Sequence, residues 1–190
     1  LGKPGLYLIV GANGQGKTNF LEALYFCAFL RSFRTAVTRE LIHETADEAA
    51  VALTIAGERH HEQLRVRFGA QKRLYRDGCE VRKGSEFING VLAVALVPDD
   101  LEGVSGPPRE RRRLLDMLLG QLAPAYLRDL GQYREALLSR NALLRHGDAK
   151  SLESVSAFGQ VLARHGAALI AARLDLCRRW QKELAKLAPR

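Results

Sequence analysis

The chain has 190 residues, enough for one large domain or two small lobes, and 47% of them are hydrophobic, enough for a sizeable core. Its 29 basic residues outnumber 21 acidic ones, which gives a formal net charge of +8. A membrane protein is excluded, because no run of about eighteen apolar residues is present, and the first residues show no secretory signal. We therefore expect a cytoplasmic protein without a membrane partner. A nucleic-acid partner is one interpretation of the basic charge, and an arginine-rich genome is the other.

Cysteines and histidines give no metal signature in this sequence. Cys27, Cys79 and Cys177 are odd in number, far apart and without metal-ligand spacing, which is typical of structural thiols in a reducing cytoplasm. His165 falls on an apolar helical seam, where we expect a partnered histidine rather than a ligand. We assign no metal site to His60 and His61, since no second cluster accompanies them.

A glycine-rich loop near the start is the most informative motif. Residues 11–18, GANGQGKT, fit the phosphate-loop pattern G-x-x-x-x-G-K-[ST] at every fixed position. The apolar run at residues 6–10 predicts a buried strand before the loop, and apolar residues at helical spacing from Phe20 to Leu30 predict a helix after it. A chance glycine turn is the alternative, but both flanks favour the functional interpretation.

The loop has the groups that a bound nucleoside triphosphate requires. Its three glycines permit a tight turn in which backbone N–H groups converge on phosphate oxygens, next to the positive end of a helix. Lys17 brings a positive charge to the β- and γ-phosphates, and Thr18 offers a hydroxyl to Mg²⁺. We therefore predict that ATP and Mg²⁺ bind here.

Short strands follow this first helix. Residues 51–55 and 64–68 are strand-like, and the second of these segments alternates apolar with basic residues. Asp77-Gly78 is a hairpin-turn signal between two further short segments. The continuous apolar run at residues 91–97 predicts a buried strand. Antiparallel strands at this point differ from the strict strand–helix alternation of simple parallel kinases.

The remainder of the chain has helical patterns. Pro107-Pro108 opens one helix, and a second begins at Pro124 with a predicted stop at Gly147. A third is predicted over residues 151–187. Every seventh residue along it is apolar, which indicates a coiled-coil-like seam: Val155, Leu162, Leu169 and Leu176.

The first turns of the first of these helices carry four arginines: Arg109, Arg111, Arg112 and Arg113. Basic residues are unfavourable there, because the helix dipole is positive at its N-terminus. Pairs between Glu110 and Arg113 and between Arg112 and Asp116 would offset part of this. The remaining charge predicts an anionic partner, with a solvated basic face as the alternative.

A second candidate NTPase element is an apolar strand that ends in acids, over residues 94–100. Asp99 or Asp100 could hold the water shell of Mg²⁺. Pro98 interrupts the segment before these acids, so a structural turn or a joint between lobes is the competing interpretation.

Five landmarks together resemble the RecF family of bacterial DNA replication and repair proteins, in the order of that family. They are the phosphate loop at 11–22 (GANGQGKTNFLE), RSFRT at 31–35, PDDL at 98–101, the P-x-x-R-R-x-x-L-D pattern at 108–116 and YREALLSRNALL at 133–144. This resemblance covers residues 1 to about 147. Ala12, Phe20 and Asp99 depart from the usual family residues, and only the last puts a candidate catalytic or metal position in doubt.

The resemblance implies an α/β fold with two lobes. The first, residues 1–104, is a P-loop NTPase lobe of ABC-ATPase type with an antiparallel β element. The second, residues 105–190, is a helical lobe with a long coiled-coil-like helix. We do not find the signature motif or the C-terminal Asp-Glu strand of such ATPases, so we expect an internal portion of a longer chain.

The function implied is ATP-dependent DNA binding in recombinational repair and replication restart, within the SOS response. An ATP-gated homodimer would act at single-strand gaps or junctions with RecO and RecR to promote RecA loading, with weak ATPase activity. The nucleotide-binding residues implied are Gly11, Ala12, Asn13, Gly14, Gln15, Gly16, Lys17, Thr18 and Asn19.

Particular roles follow from the same resemblance. Lys17 is the catalytic residue, and Thr18 is the Mg²⁺ ligand. Arg31 and Arg34 are candidates for a nucleotide-side or interlobe contact. The candidates for contact with DNA or a partner protein are Arg109, Arg111, Arg112 and Arg113.

Three alternatives remain open. A small P-loop kinase would require Asp99 or Asp100 to serve Mg²⁺. A docking module without ATP turnover would use its helical lobe alone. Another SMC-like repair ATPase head would have a long coiled coil or a zinc hook in place of residues 107–147.

Overall fold

The computed structural model describes residues 5–56, 61–97, 106–146 and 151–187. The chain divides into two units, residues 1–100 and residues 101–190, and each of them has a hydrophobic core. The domain boundary predicted at residues 104–105 lies outside the described residues.

Helix α1, Lys17–Phe29, opens the regular structure of the first unit directly after the glycine loop. It ends where Leu30 adopts a left-handed conformation with φ of 53°. Phe26 and Cys27 are buried on this helix, as the spacing predicts, whereas Phe20 and Leu21 are exposed. The start of α1 therefore faces solvent beside the loop, and its second half anchors it in the core.

A four-stranded antiparallel sheet packs against α1, with its strands in chain order. The strands are β1 (Ala49–Ala56), β2 (His61–Phe68), β3 (Arg73–Arg76) and β4 (Cys79–Val81). Side chains along β2 alternate strictly between buried and exposed, so that Leu64, Val66 and Phe68 enter the core. The short helix α2, Gly84–Phe87, adds the fully buried Phe87 to the same core.

The predicted hairpin between β3 and β4 is confirmed. Asp77 and Gly78 have φ of 50° and 80°, and two successive positive values are the signature of a type I′ turn. Asp77 is further fixed because its Oδ1 accepts the N–H of Gln63 at 2.8 Å. The turn therefore sets the register of the last two strands.

Two predicted buried strands are not found. Residues 6–10 and 91–97 have no strand conformation, and their apolar side chains face solvent, with Leu8 83%, Val94 89% and Leu96 91% exposed. Apolar runs predict burial, but burial also requires atoms that cover them. Val91 packs against the core, but within the described residues most of the other side chains of these segments are exposed, so the two predictions are wrong for this structure.

The second unit consists of three helices, and all three begin where the sequence predicts. They are α3 (Pro108–Leu122), α4 (Pro124–His146) and α5 (Ser151–Leu187). The heptad seam of α5 supplies Leu169 and Leu176 to the core, where they meet Tyr126 and Leu130 of α4. Gly147, the predicted stop of α4, lies outside the described residues. No helix in the described ranges has both the length and the apolar character needed to cross a bilayer.

Candidate nucleotide-binding site

The glycine loop and the start of α1 enclose an open cavity of about 450 Å³. Gly14 and Gly16 have φ of 82° and 79°, which other residues adopt only with strain, so glycine is needed at both positions. A Cβ atom at either position would meet no atom within 4 Å, so it is the backbone conformation and not crowding that requires glycine there. The residues that line the cavity are Asn13, Gly14, Gln15, Gly16, Lys17, Thr18, Asn19 and Arg34.

The N-terminus of α1 is open to an anion. Gly16 is the N-cap residue, and among the described residues no side chain caps this end of the helix. The first N–H groups of a helix have no partner within it, and the helix dipole is positive there. A phosphate is therefore the kind of group that this end of α1 can bind.

Lys17 is turned back onto its own loop. Its ammonium donates hydrogen bonds to the carbonyl oxygens of Gly11 and Ala12, at 2.7 Å each. Both acceptors are neutral, and phosphate oxygens form stronger charge-assisted bonds with an ammonium group. The side chain is thus held at the cavity by contacts that a phosphate can replace.

Arg34 joins the cavity from the loop that follows α1. Its Nη1 donates to Asn19 Oδ1 at 2.8 Å and lies 3.3 Å from Glu22 Oε2. Ser32 fixes this loop, because its Oγ accepts the N–H groups of Arg34 and Thr35 at 2.8 and 3.1 Å and donates to buried Glu22. These bonds place a guanidinium group beside the glycine loop.

The structure separates the two arginines that the sequence proposes for this region. Arg34 lines the cavity, whereas Arg31 is not one of its lining residues. Glu22, which positions Arg34, received no role from the sequence. The available signal is its spacing, since an acid three residues after Asn19 lies on the same face of α1.

The predicted acidic partner of Mg²⁺ is not part of the described site. Asp99 and Asp100 lie outside the described residues, so their role stays a prediction. Within the described ranges, no group of three or more histidine, cysteine, aspartate or glutamate residues is arranged to hold a metal ion. Thr18, which the sequence proposes as a Mg²⁺ ligand, is exposed at the cavity.

The four arginines at the start of α3 do not all lie on the same face of the helix. Arg109, Arg112 and Arg113 line a cavity in the second unit, whereas Arg111 donates to the carbonyl oxygen of Gly106 at 2.6 Å. The predicted pair between Arg113 and Glu110 is confirmed at 2.9 Å.

The predicted pair between Arg112 and Asp116 is wrong. Asp116 accepts hydrogen bonds from Tyr126 at 2.5 Å and from the guanidinium of Arg173 at 2.7 Å, and Arg134 lies 3.6 Å from its other oxygen. Arg173 is 57 residues away in the chain, so helical spacing gives no sign of it. Arg173 on α5 is largely buried and donates two N–H groups to the same oxygen of Asp116, so it takes precedence over Arg112, which is exposed at the start of α3.

Burial and charge shift the pKa values of this network. Burial raises the pKa of Tyr126, and its hydrogen bond to Asp116 raises it further. Burial lowers the pKa of Arg173, but the hydrogen bond and the charge of Asp116 raise it more, so that it lies above its ordinary value. Tyr126 is therefore a neutral donor and Arg173 a permanent cation at neutral pH.

The isolated histidine and cysteine residues behave mostly as expected. His165 is partnered, as predicted, because its Nδ1 lies 2.8 Å from Asp129 Oδ1. Cys27 is completely buried, and burial raises its pKa to about 11. Cys79 and Cys177 are exposed.

The glycine loop, the antiparallel sheet and the long-helix unit define a P-loop protein of the ABC-ATPase-like class. The chain is similar to a solved structure of the recombination mediator protein RecF with ATP in the RecFOR pathway, with a TM-score of 0.85 and 26% identity over 92% of this chain and 48% of that one. A second solved structure, of RecF–ATPrS, has a TM-score of 0.83 and 27% identity over 93% of this chain and 49% of that one.

Curated relatives agree with this likeness, although no family model matches the chain. The chain is 34% identical to the DNA replication and repair protein RecF of Streptococcus equi subsp. zooepidemicus strain H70, over 96% of this chain and 50% of that protein. It is 37% identical to the RecF protein of Halalkalibacterium halodurans, over 96% of this chain and 51% of that protein. The chain thus spans about half the length of these relatives, and the sequence and structural likenesses together support a partial RecF chain.

Proposed function

We propose that this chain provides the ATP-binding loop and a DNA-binding helical unit of an ATP-dependent DNA repair protein. The observation that carries the proposal is the P-loop cavity, where Lys17, the start of α1 and Arg34 converge on one open space. The names of the curated relatives, DNA replication and repair protein, and the ATP in a solved RecF structure support it.

Each residue of the cavity has a role in this proposal. Gly14 and Gly16 shape the loop, Lys17 neutralises the β- and γ-phosphates, and Thr18 ligates Mg²⁺. Arg34 adds a second cation, held in place by Asn19 and Glu22. Bound ATP would react slowly with water at its γ-phosphate to give ADP and inorganic phosphate, so that the activity is that of a weak ATPase.

At the level of the whole protein, the proposal is an ATP-gated homodimer that acts in the cytoplasm, within the SOS response. The dimer binds DNA at single-strand gaps and works with RecO and RecR to promote RecA loading. The arginines of α3 contribute positive charge to DNA or to a partner, and such binding weakens as salt rises.

The experiment compares the protein with its Lys17→Ala variant in two assays, binding of a fluorescent ATP analogue with Mg²⁺ and binding of labelled gapped DNA. DNA binding is measured with ATP, with ADP and without nucleotide, at two salt concentrations. Lys182→Ala is the matched control, because Lys182 is an exposed lysine on α5 and does not line the P-loop cavity.

We expect tight DNA binding only with ATP, loss of both activities in Lys17→Ala, and no change in Lys182→Ala. Binding of DNA that is independent of nucleotide would contradict ATP gating and favour a docking module. Phosphoryl transfer from ATP to a small acceptor, without DNA binding, would favour the kinase.

A further inference from the structure

A second cavity lies within the helical unit, between α3, α4 and α5, and has a volume of about 650 Å³. Five arginines from the three helices line it: Arg109, Arg112, Arg113, Arg134 and Arg173. Asp116 is the acid among the residues that line it. A concave surface with this excess of positive charge attracts anions more strongly than the same charges on a flat surface do.

The five arginines differ in whether an acidic residue of the chain is already paired with them. Arg173 and Arg134 are paired with Asp116, and Arg113 is paired with Glu110. The guanidinium groups of the remaining two, Arg109 and Arg112, form no hydrogen bond or ion pair with any described residue of the chain. Two exposed guanidinium groups at the rim of the cavity therefore have their full donor capacity left for a ligand.

Helix geometry aims this pair into the cavity. Positions 109, 112, 113 and 116 share one face of α3, and all four residues line the cavity. Arg111 lies on another face and is bound to the carbonyl oxygen of Gly106. The functional unit in this arginine run is thus one face of α3 rather than the run as a whole.

The cavity also has an apolar wall. Tyr133, Leu137 and Ile170 line it, and Gly166 lets the Tyr133 ring approach α5, since a Cβ there would lie 3.2 Å from Tyr133 Cε2. A volume of this size is within the usual range for small-molecule sites and far exceeds that of one phosphate. Guanidinium groups beside an aromatic and aliphatic wall suit a ligand that has both a phosphate and a flat base.

We infer that this cavity binds a nucleoside phosphate, with the phosphate at Arg109 and Arg112 and the base against the wall that includes Tyr133. A nucleoside phosphate could reach this cavity either as a nucleotide within a DNA strand or as a free nucleotide. The DNA source rests on the proposed DNA-binding function, whereas the cavity itself does not depend on the P-loop.

The test is fluorescence anisotropy with a labelled oligothymidylate of twelve nucleotides, at two salt concentrations, with dTMP and inorganic phosphate as competitors. The protein is compared with the double variant Arg109→Gln, Arg112→Gln. The control is Arg128→Gln, Arg178→Gln, which removes two exposed arginines of the same unit that do not line the cavity.

We expect the cavity variant to bind the oligonucleotide about a hundredfold more weakly, since a charged hydrogen bond lost at each arginine is worth about tenfold. Its salt slope should decrease by about 0.7, as for one phosphate contact on a single strand. The control should lose less than about threefold, because its two charges act on the strand only from a distance. In the protein itself, dTMP should compete more strongly than inorganic phosphate.

The same data show whether the ligand is a free nucleotide or a nucleotide within a DNA strand. If the cavity variant loses affinity equally for dTMP and for the oligonucleotide, the site binds free nucleotides as well. If it loses affinity for the oligonucleotide alone, the site binds a nucleotide within the strand. Equal losses in the control and cavity variants would overturn the inference, as would equal competition by phosphate and dTMP. DNA binding that is independent of nucleotide, with the effect of the cavity variant intact, would contradict the proposed function and leave this site standing.

Discussion

Ser32 is the residue that holds Arg34 at the P-loop cavity, although it does not touch the cavity itself. Its hydroxyl accepts two backbone N–H groups and donates to the buried carboxylate of Glu22. The substitution Ser32→Ala leaves these three groups without that partner. We expect it to lower the free energy of unfolding by about 2 kcal/mol and to weaken ATP binding, because Arg34 is no longer fixed.

Urea denaturation and the binding of a fluorescent ATP analogue measure these two effects. Thr35→Ala is the control, since Thr35 Oγ1 accepts only one N–H, from Val37, in an exposed turn. This control should change the free energy of unfolding by less than about 1 kcal/mol and leave ATP affinity unchanged. Wild-type ATP affinity in Ser32→Ala would show that Arg34 is placed without Ser32.

Cys27 makes stability depend on pH in the alkaline range. Burial raises its pKa from 9.0 to about 11, so the folded chain keeps the thiol proton between these values while the unfolded chain loses it. The stabilisation due to this thiol is complete below pH 9 and is lost as pH rises through 11. We expect Cys27→Ala to lose less stability than the wild type between pH 8.5 and about pH 11, as measured by urea denaturation.

The exposed Cys79 gives the matched comparison for this pH effect. Cys79→Ala removes a thiol from β4 that is open to solvent, so its stability should follow the wild-type pH profile. Identical profiles for Cys27→Ala and the wild type would show that the thiol of Cys27 ionises as readily in the folded chain as in the unfolded one.

At the scale of elements, Asp116 joins all three helices of the second unit. It lies on α3, accepts hydrogen bonds from Tyr126 of α4 and Arg173 of α5, and is 13% exposed. Asp116→Asn removes the negative charge that balances a half-buried guanidinium. We expect a loss of about 2 kcal/mol in the free energy of unfolding, below the usual cost for fully buried pairs because Arg173 keeps some contact with water.

A second ion pair on α5 provides the control for this prediction. Asp175 and Arg179 are 2.6 Å apart at i, i+4 spacing, and both side chains are more than half exposed. Asp175→Asn should therefore change the free energy of unfolding by less than about 0.5 kcal/mol in thermal or urea denaturation. Equal effects of the two substitutions would mean that the Asp116 network contributes no more than a surface pair.

Local signals predict the helices and hairpin of this chain, and they do not predict the contacts between elements. Pro108 and Pro124 mark helix starts, and Asp77-Gly78 marks a two-residue turn, because each acts through its own backbone conformation. The partner of Asp116 is set by packing between α3 and α5, which no spacing along the chain reveals. The glycine loop was predictable because it, too, acts through local backbone conformation. The Glu22–Ser32–Arg34 arrangement was not predictable, because it depends on contacts between residues that lie apart in the chain.

At the scale of the whole molecule, two apolar segments of the first unit are largely uncovered within the described residues, although Val91 packs against the core. Residues 6–10 and 91–97 include side chains with exposures of 83% at Leu8, 89% at Val94 and 91% at Leu96. The hydrophobic pattern correctly indicates that these segments favour an apolar environment. It does not say which atoms provide that environment, and for this reason the two buried strands were wrongly predicted.

Exposed apolar side chains of this kind should bind a hydrophobic dye and promote association of the chain with itself, because both processes remove apolar surface from water. We expect the double substitution Val94→Thr, Leu96→Gln to reduce both the fluorescence of bound anilinonaphthalene sulfonate and the association seen by sedimentation. The melting temperature should not fall, since neither side chain is part of the buried core. Leu138→Gln, which removes one 72% exposed leucine on α4, should leave both readouts unchanged, and an equal decrease in this variant would assign the dye binding to scattered surface residues instead.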